Sequence, residues 1–531
     1  MAMKWWGWGE EQRSFPLSDP ERFWSFLRDR LGETSIRPRL QSLDQIVLPP
    51  SRLEPEALAA LRRAAGDAPV ATDGGERAVH SLGKGYRDLV RIRRGEVPNP
   101  TDAVIYPATE EQVAAILAAA SERGIAVIPF GGGTSVVGGV EPAAGGPTVT
   151  LDLRRMERVL RIDRIAGTAT VEAGIMGPAL EAQLNAAGFT LGHFPQSFEY
   201  SSLGGWIATR SAGQKSTLYG KIEERVQSLR LLFPGGVVDT PSVPAAAAGP
   251  DLTQTITGTE GVLGVITRAT IRLSPLPARS DYRGFLLPTF ADGAEAAREI
   301  MQSGLRPAVL RLSDEPETEV TAVTQMGRAG VNAALLILGF DGEEDEVRLC
   351  WERGERILGR HAGQPLGLGL GEAWESSRFD LPYLRDILLD HGVMVDTLET
   401  AATWERYLGL YRSVREAMET AMAGRGVVMA HLSHAYPDGA SVYYTFLARQ
   451  DEGREIEQWQ RVKTAATQAI IDGGGALSHH HGIGVDHRPW IAAYLGPGGI
   501  RALAALKKAF DPQGIMNPGK LTPDSEEPTH V

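Results

Sequence analysis

The sequence predicts a chain of mixed α and β structure, in which an α/β part precedes a part built on an antiparallel sheet. Three observations predict it. From Asn99 the order runs strand, helix, strand, which is an α/β unit. Between about 278 and 450, two strand–helix–strand units with charged helices suit an antiparallel sheet covered on one face. Between these parts the glycine density falls, and Pro275 and Pro277 mark a boundary. At 531 residues the chain has material for two or more domains with large cores.

Taken in order, residues 1–98 alternate Pro-rich and Arg-rich stretches without a clear period. Trp5, Trp6 and Trp8 form an aromatic cluster; packing of an N-terminal arm onto the body is its first reading and membrane-surface contact the second. DAVIYPA is a short strand. Thr109 can cap the helix EEQVAAILAAASERG, with Gln112 completing a capping box, and Gly124 suits a left-handed exit. IAVIP is a buried strand that delivers the chain into PFGGGTSVVGGVEP, Pro129–Pro142. TVTLDL and TATVEAGIM are strands, and Gly177-Pro178 opens a helix closed by Gly188. A long polar segment, HFPQSFEYSSLGGWIATRSAGQKSTLYGKIEERV, follows; a loop of that length is more often functional than a plain connection. QSLRLLFPGG and VLGVITRATIRLSP are strand-like. In the later part RGFLLPTF, RPAVLRLSD and AALLILGF read as strands separated by helices. SVYYTFLARQ is a strand with Tyr443, Thr445 and Leu447 on one face and Val442, Tyr444 and Phe446 on the other. A helix over about Arg454–Asp472 ends at three glycines. A final helix stops at Asp511-Pro512, and TPDSEEPTHV reads as a solvated tail.

The stretch Pro129–Pro142 holds five glycines in fourteen residues, with Thr134 and Ser135 between the clusters. Glycines after a strand let backbone N–H groups converge on one point, a nest for phosphate to which the two hydroxyls can add. A phosphate loop of the G-x-x-x-x-G-K-[ST] type fails, because Gly139 and Val140 stand where Lys and Ser/Thr are needed. A Rossmann fingerprint fails at Val136. A nucleotide diphosphate site is therefore the hypothesis, and a plain glycine-rich turn the alternative.

Net charge is −12, which argues against a general nucleic-acid binder. The single cysteine, Cys350, excludes an intrachain disulfide and a thiolate metal cluster, and fits a reducing compartment. No signal peptide and no run of membrane-span length is evident. Four of the eleven histidines lie in His479–His487. They can move protons near neutral pH; a metal site lacks the accompanying carboxylates, and no metal is expected. As consecutive strand residues they would face alternately, so that one or two reach a site. By themselves, Tyr443 reads as a packed strand residue, Arg311 and Arg385 as salt-bridged or snorkelling arginines, and His431 and His434 as loop or core histidines.

As a set, PFGGGTSVVGG, PQSFEYSSLGGWIATRSAGQKSTLYGKIEERV, GPDLTQTITGTEGVLGVIT, GASVYYTF and LSHHHGIG resemble the FAD-binding proteins of the vanillyl-alcohol oxidase / p-cresol methylhydroxylase superfamily. Within it the chain is most similar to the alkyldihydroxyacetonephosphate (alkylglycerone-phosphate) synthases, from KWWGWG to about Leu521. The resemblance implies an α+β fold: a FAD-binding domain of two α/β subdomains with an inserted cap domain on an antiparallel sheet. The corresponding divisions are 1–98, an N-terminal region; 99–277, FAD-binding; 278–450, cap; and 451–531, completing the active site and FAD domain.

By that likeness Pro129, Gly131, Gly132, Gly133, Thr134, Ser135, Gly138 and Gly139 bind the diphosphate of a non-covalent FAD. Pro195, Ser197, Ser201, Ser202, Gly204, Gly205, Thr209 and Ala212 flank the flavin. Glu260, Gly264, Val265 and Ile266 complete the nucleotide pocket. Tyr443 matches the tyrosine of an A-x-x-Y motif, and His480 and His481 the histidines of HHG. Arg311 matches P-A-x-x-R-L near the flavin, and Arg385 matches Y-x-R-D near the substrate, with His479 as a second substrate residue. The implied reaction exchanges the acyl group of acyl-dihydroxyacetone phosphate for a long-chain fatty alcohol through an adduct at flavin N5, giving an ether-lipid precursor. The implied partners are these lipids, a second copy of the chain and a membrane surface.

One departure keeps an alternative open. The ending FDPQGIMNPGKL is closer to FAD-linked oxidoreductases acting on D-2-hydroxy acids or alcohols. Those carry Glu before HGIG, where this chain has His480, and a His after G-D-G-N, where it has PDGASVY. Both sites favour the synthase; a flavin-binding protein without catalysis is the third reading. The ending lacks a Ser-Lys-Leu signal, and no N-terminal targeting segment is evident, so a cytoplasmic location is expected.

Overall fold

The computed structural model describes residues 3–326 and 330–522, which form two units. The glycine-loop unit comprises Arg39–Ser211, Lys221–Pro275 and the segment from His480 on. The seven-stranded unit comprises the segment up to Pro38, Ala212–Gly220 and Leu276–His479.

In the glycine-loop unit, strands Val70–Ala71, Ala103–Ile105, Thr148–Asp152 and Ala126–Phe130 form one sheet in that order, the last three parallel. The intervening helix, Glu110–Ser121, starts where predicted, because the Thr109 hydroxyl accepts the Gln112 amide at 3.2 Å. The Gln112 side chain caps the Ala108 amide at 2.7 Å, so the reciprocal half of the box falls one residue early. Gly124 leaves the helix at φ 60°. Val113, Ile116 and Leu117 bury one face of this helix against Ile105, Val127, Val149 and Leu151. Met516 forms a parallel bridge with Val127, so the segment around Met516 lies beside the strand that feeds the glycine loop. A second, antiparallel sheet runs in the order Val159–Asp163, Thr168–Glu172, Val265–Arg272, Val226–Phe233, Gly236–Asp239. The stretch that gave no period also carries helices here, Pro55–Ala65 and Tyr86–Arg93.

The seven-stranded unit is one antiparallel sheet in the order Gln364–Gly367, Arg279–Leu287, Ala334–Gly342, Val309–Ser313, Gly426–Ala435, Gly439–Arg449, Val393–Thr403. The predicted antiparallel architecture holds. The alternation along Gly439–Arg449 holds as far as Phe446: Val442, Tyr444 and Phe446 are fully buried and Tyr443 and Thr445 half-buried, whereas Leu447, expected on the face of Tyr443 and Thr445, is buried as well. Two strands beside it, Val393–Thr403 and Gly426–Ala435, escape the sequence reading. Both are buried along most of their length, which removes the period-2 signal.

The histidine run is not a strand. His479–His481 lie in an irregular loop after helix Glu455–Asp472, and Gly482 and Gly484 turn it at φ 87° and 53°. Trp6 and Trp8 are buried, as the packed-arm reading requires. The tail after Thr522 lies outside the described residues. Among the described residues no helix is long and apolar enough to cross a membrane.

Candidate active site

The glycine loop can take its path only with glycine at Gly131, Gly132, Gly133 and Gly138. A Cβ on Gly132 would stand 1.6 Å from the Tyr200 carbonyl oxygen, and one on Gly131 2.2 Å from Ser202 Oγ. Gly133 and Gly138 have φ of 67° and 72°, where glycine is favoured. Across the loop, a Cβ on Gly83 would meet the Ser135 carbonyl oxygen at 2.3 Å, and one on Gly484 that of Val137 at 2.1 Å. Ser135 Oγ folds inward to accept the Gly139 amide at 2.9 Å. Among the described residues the amides of Gly132, Gly133 and Thr134 have no protein acceptor. The result is a backbone cradle with donors to spare, which fits the diphosphate of FAD.

Helix Leu203–Thr209 starts against this cradle, with Ser202 Oγ accepting the Gly205 amide at 3.3 Å. Ser201 Oγ accepts from Trp206 Nε1 at 2.7 Å and lies 3.1 Å from Ser197 Oγ. Pro195 accepts the Phe198 amide through its carbonyl at 2.9 Å. Gly204 is buried because a Cβ would meet Ala173, whereas Gly205 is exposed and Thr209 half-buried. Gly264 closes on the Leu232 carbonyl, Val265 sits in the apolar core, and Ile266 pairs with Leu231. Ala212 belongs to the seven-stranded unit.

Glu260 ties the C-terminal segment to this cradle. Its carboxylate accepts the amides of Ile483 and Gly484 at 2.6 and 2.7 Å. Burial raises its pKa, and the two amides and Lys520 oppose that rise. Asn517 Nδ2 donates to the carbonyls of both Glu260 and Gly139, at 2.7 and 3.1 Å. Lys520 Nζ donates to the Glu141 carbonyl at 2.6 Å, and burial pulls its pKa down to about 8. These bonds bring the histidine loop to the unit's glycines, with the His480 and His481 rings edge to face at 4.6 Å.

In the seven-stranded unit, the strand register sets Tyr443 between Glu399 and His431. The His431 and Tyr443 rings stack at 4.9 Å. Burial pushes the Tyr443 phenol up to about 12, against a hydrogen bond with Thr397; Asp396 and Glu399 add to the rise, and Arg385 opposes it. His431 Nδ1 is 3.0 Å from Glu317, and Arg311 reaches His431 Nε2 at 3.0 Å and Glu317 at 2.9 Å. A neutral imidazole donating from Nδ1 and accepting at Nε2 satisfies both partners. Burial and the Arg311 charge lower the His431 pKa, consistent with that form. Glu317, although buried, is held down to about 2 by His431 and Arg311. Arg311 is thus ion-paired, as its sequence reading allowed.

Glu399 also accepts the His479 amide at 2.5 Å and Ser478 Oγ at 2.7 Å. His479 Nε2 meets the Tyr436 hydroxyl at 2.7 Å and stacks on His434. Tyr443, Arg385, Arg311 and His479 therefore fall in one unit, and His480 and His481 with the glycine loop in the other. Sequence reasoning missed Glu317, Glu399 and Tyr436. Their partners lie far along the chain, and no local pattern marks them.

Comparison with known proteins gives the family. Residues 101–240 match the model of a FAD binding domain, and 276–521 that of the C-terminal domain of FAD linked oxidases. The chain is 37% identical to alkyldihydroxyacetonephosphate synthase of Dictyostelium discoideum, over 85% of this chain and 78% of that one. A solved alkyldihydroxyacetonephosphate synthase superposes with a TM-score of 0.85 at 32% identity, covering 98% of this chain and 99% of that one. Solved p-cresol methylhydroxylase, 16% identical, shares the fold with a TM-score of 0.68, covering 92% of this chain and 98% of that one. The chain belongs to the alkyldihydroxyacetonephosphate synthase family, on the FAD-binding fold of the vanillyl-alcohol oxidase type.

Proposed function

We propose that this protein is an FAD-dependent transferase that converts acyl-dihydroxyacetone phosphate and a long-chain fatty alcohol into alkyl-dihydroxyacetone phosphate and a free fatty acid. The observation that carries the reading is the setting of Tyr443, stacked on His431 and flanked in register by Glu399, in a chain of this family. The exchange has no net oxidation. FAD, held without a covalent bond, supplies an electron-accepting ring when it is bound. The cradle Gly131–Gly139 binds its diphosphate, with Arg39–Ser211, Lys221–Pro275 and the segment from His480 on as the FAD-binding part and Leu276–His479 as the cap.

Tyr443 keeps its proton at neutral pH and donates it. His480 and His481 accept the proton lost from the substrate carbon. Arg385, whose charge acts on Tyr443, faces the substrate phosphate, and His479 lies beside it on the substrate side. Arg311 holds His431, and through it the Tyr443 ring stacked on that imidazole. The enzyme works as a cytoplasmic homodimer that meets its lipids at a membrane surface; flotation with vesicles and solution mass test this.

Incubation with palmitoyl-dihydroxyacetone phosphate and hexadecanol is expected to yield the ether by mass spectrometry, and absence of the ether overturns the reading. Anaerobic mixing with lactate, glycolate or 2-hydroxyglutarate is expected to leave the flavin absorbance unchanged. Prompt bleaching would instead establish a hydroxyacid oxidoreductase.

A further inference from the structure

The tryptophan-rich arm is absorbed by none of the chemistry above, yet it grips the helix that carries Arg385. Within the seven-stranded unit, helix Leu381–Asp390 presents Tyr383, Arg385 and Asp386. The Trp8 amide donates to Asp386 Oδ2 at 2.9 Å, and Lys4 Nζ lies 3.5 Å from the same oxygen, both partners buried. Lys4 also donates to the Arg13 carbonyl at 2.9 Å, closing the arm on itself. Arg13 pairs with Asp380 at 2.6 Å and lies over the Tyr383 ring at 4.5 Å.

The arm's glycines fit this grip. A Cβ on Gly7 would stand 2.4 Å from Asp386 Oδ2, and one on Gly9, at φ 71°, 2.2 Å from the Tyr383 hydroxyl. The far end of the helix is held by the same N-terminal segment. The Arg37 amide donates to the Asp390 carbonyl at 2.8 Å, and the Trp24 ring packs, tilted by 30°, against His391 at 4.1 Å. A helix fixed at both ends and on its Tyr383–Asp386 turn cannot rotate or slide without breaking a buried ion pair and two aromatic contacts. Asp386 is next to Arg385, so the arm reaches the neighbour of the arginine that acts on Tyr443.

We propose that the Lys4–Arg13 arm is a positioning element of the substrate site, fixing helix Leu381–Asp390 so that Arg385 presents its guanidinium to a phosphorylated three-carbon ligand. This rests on the reading of Arg385 as a substrate residue. The arm touches no substrate; it acts through Asp386 and Tyr383.

The test uses the full chain loaded with FAD. Dihydroxyacetone phosphate is titrated by calorimetry, and KM is measured separately for palmitoyl-dihydroxyacetone phosphate and for hexadecanol. Arg385→Lys, which loses the forked donor, reports on the site itself. Gly7→Ala pushes on Asp386 without touching Arg385.

The expected result is that both variants weaken dihydroxyacetone phosphate binding at least about fivefold and raise KM for the phosphorylated substrate alone, with FAD content and the hexadecanol KM unchanged. If Arg385→Lys weakens binding and Gly7→Ala does not, the arm proposal falls and the site reading stands. If Arg385→Lys leaves binding unchanged, the site reading falls and the proposal with it. Loss of FAD or a parallel rise in the hexadecanol KM in Gly7→Ala overturns the proposal in favour of a structural role. Should Gly7→Ala fail to fold, Asp386→Asn is judged by the same criteria; it keeps an acceptor for the Trp8 amide and removes the charge facing Lys4.

Discussion

Tyr443 lies face to face with His431, their ring planes 18° from parallel, on neighbouring strands in direct register. The stack holds the phenol ring in place from one side, so removing the hydroxyl alone leaves the ring where it is. Tyr443→Phe is therefore expected to keep FAD and fold while lowering turnover by about 10²–10⁴-fold, the usual range for a lost proton-transfer group. Flavin absorbance and ether formation, measured on one preparation, check it; turnover within threefold of the parent would remove Tyr443 from the chemistry.

Glu260 accepts two amides from the histidine loop with both carboxylate oxygens. Glutamine would turn an NH2 group toward one of those donors and leave it buried without an acceptor. Glu260→Gln is expected to lower stability by about 2 kcal/mol and to release FAD more readily. Thermal melts with and without added FAD measure both effects. A melt unchanged in both states would show that the two amide bonds contribute nothing.

At Gly132 the constraint is steric. Alanine would place its methyl inside the radius of the Tyr200 carbonyl oxygen, so either the loop or the Tyr200–Ser202 segment must move. Gly132→Ala is expected to be purified without flavin, whereas Gly146→Ala, with no atom within 4 Å of the added Cβ, retains it. Equal flavin content in the two proteins would refute the cradle.

Asp88 offers a pH test within the glycine-loop unit. Burial pushes its carboxyl up to about 7, Glu141 and Asp486 add to the rise, and Arg87 and Arg91 oppose it. A raised carboxyl favours folding while protonated. That contribution is complete below the ordinary aspartate pKa of about 4 and is lost as pH climbs through about 7. Asparagine can still accept the Gly83 amide, which Asp88 Oδ2 accepts at 3.1 Å, without ever ionising. The melting temperature of Asp88→Asn relative to the parent is expected to rise between pH 4 and pH 8. A difference that is flat with pH would mean that Asp88 does not titrate in this window.

How much of this was legible depends on the range of the signal. The strand ending at Phe130, the helix that Thr109 caps and the two-faced strand of Tyr443 were readable because their patterns repeat within a few residues. The glycine loop was readable as a phosphate nest, because its glycines report backbone geometry directly. Its ligand came only from the resemblance of several motifs taken together. The histidine run misled: three adjacent residues carry no period, and the glycines after them and Glu399 far away decide the loop's course. Glu317 and His431 are 114 positions apart and meet only once strands Val309–Ser313 and Gly426–Ala435 pair. The N-terminal helices were hidden by prolines that open them at their first turns; Pro20 and Pro55 read as breakers in a sequence scan.

Asn517 and Lys520, which fasten the glycine loop through Gly139 and Glu141, lie 378 and 379 residues after their partners. During synthesis, the loop emerges long before the residues that hold it. The whole segment Leu276–His479 must be translated, and its seven strands are free to pair, while the cofactor cradle is still open. Closing so long a stretch of chain slows the final step and exposes the unfinished sheet of the glycine-loop unit to aggregation. Free FAD present as the segment carrying Asn517 and Lys520 leaves the ribosome would favour the completed form, so the yield of folded protein in cells should follow flavin supply during expression.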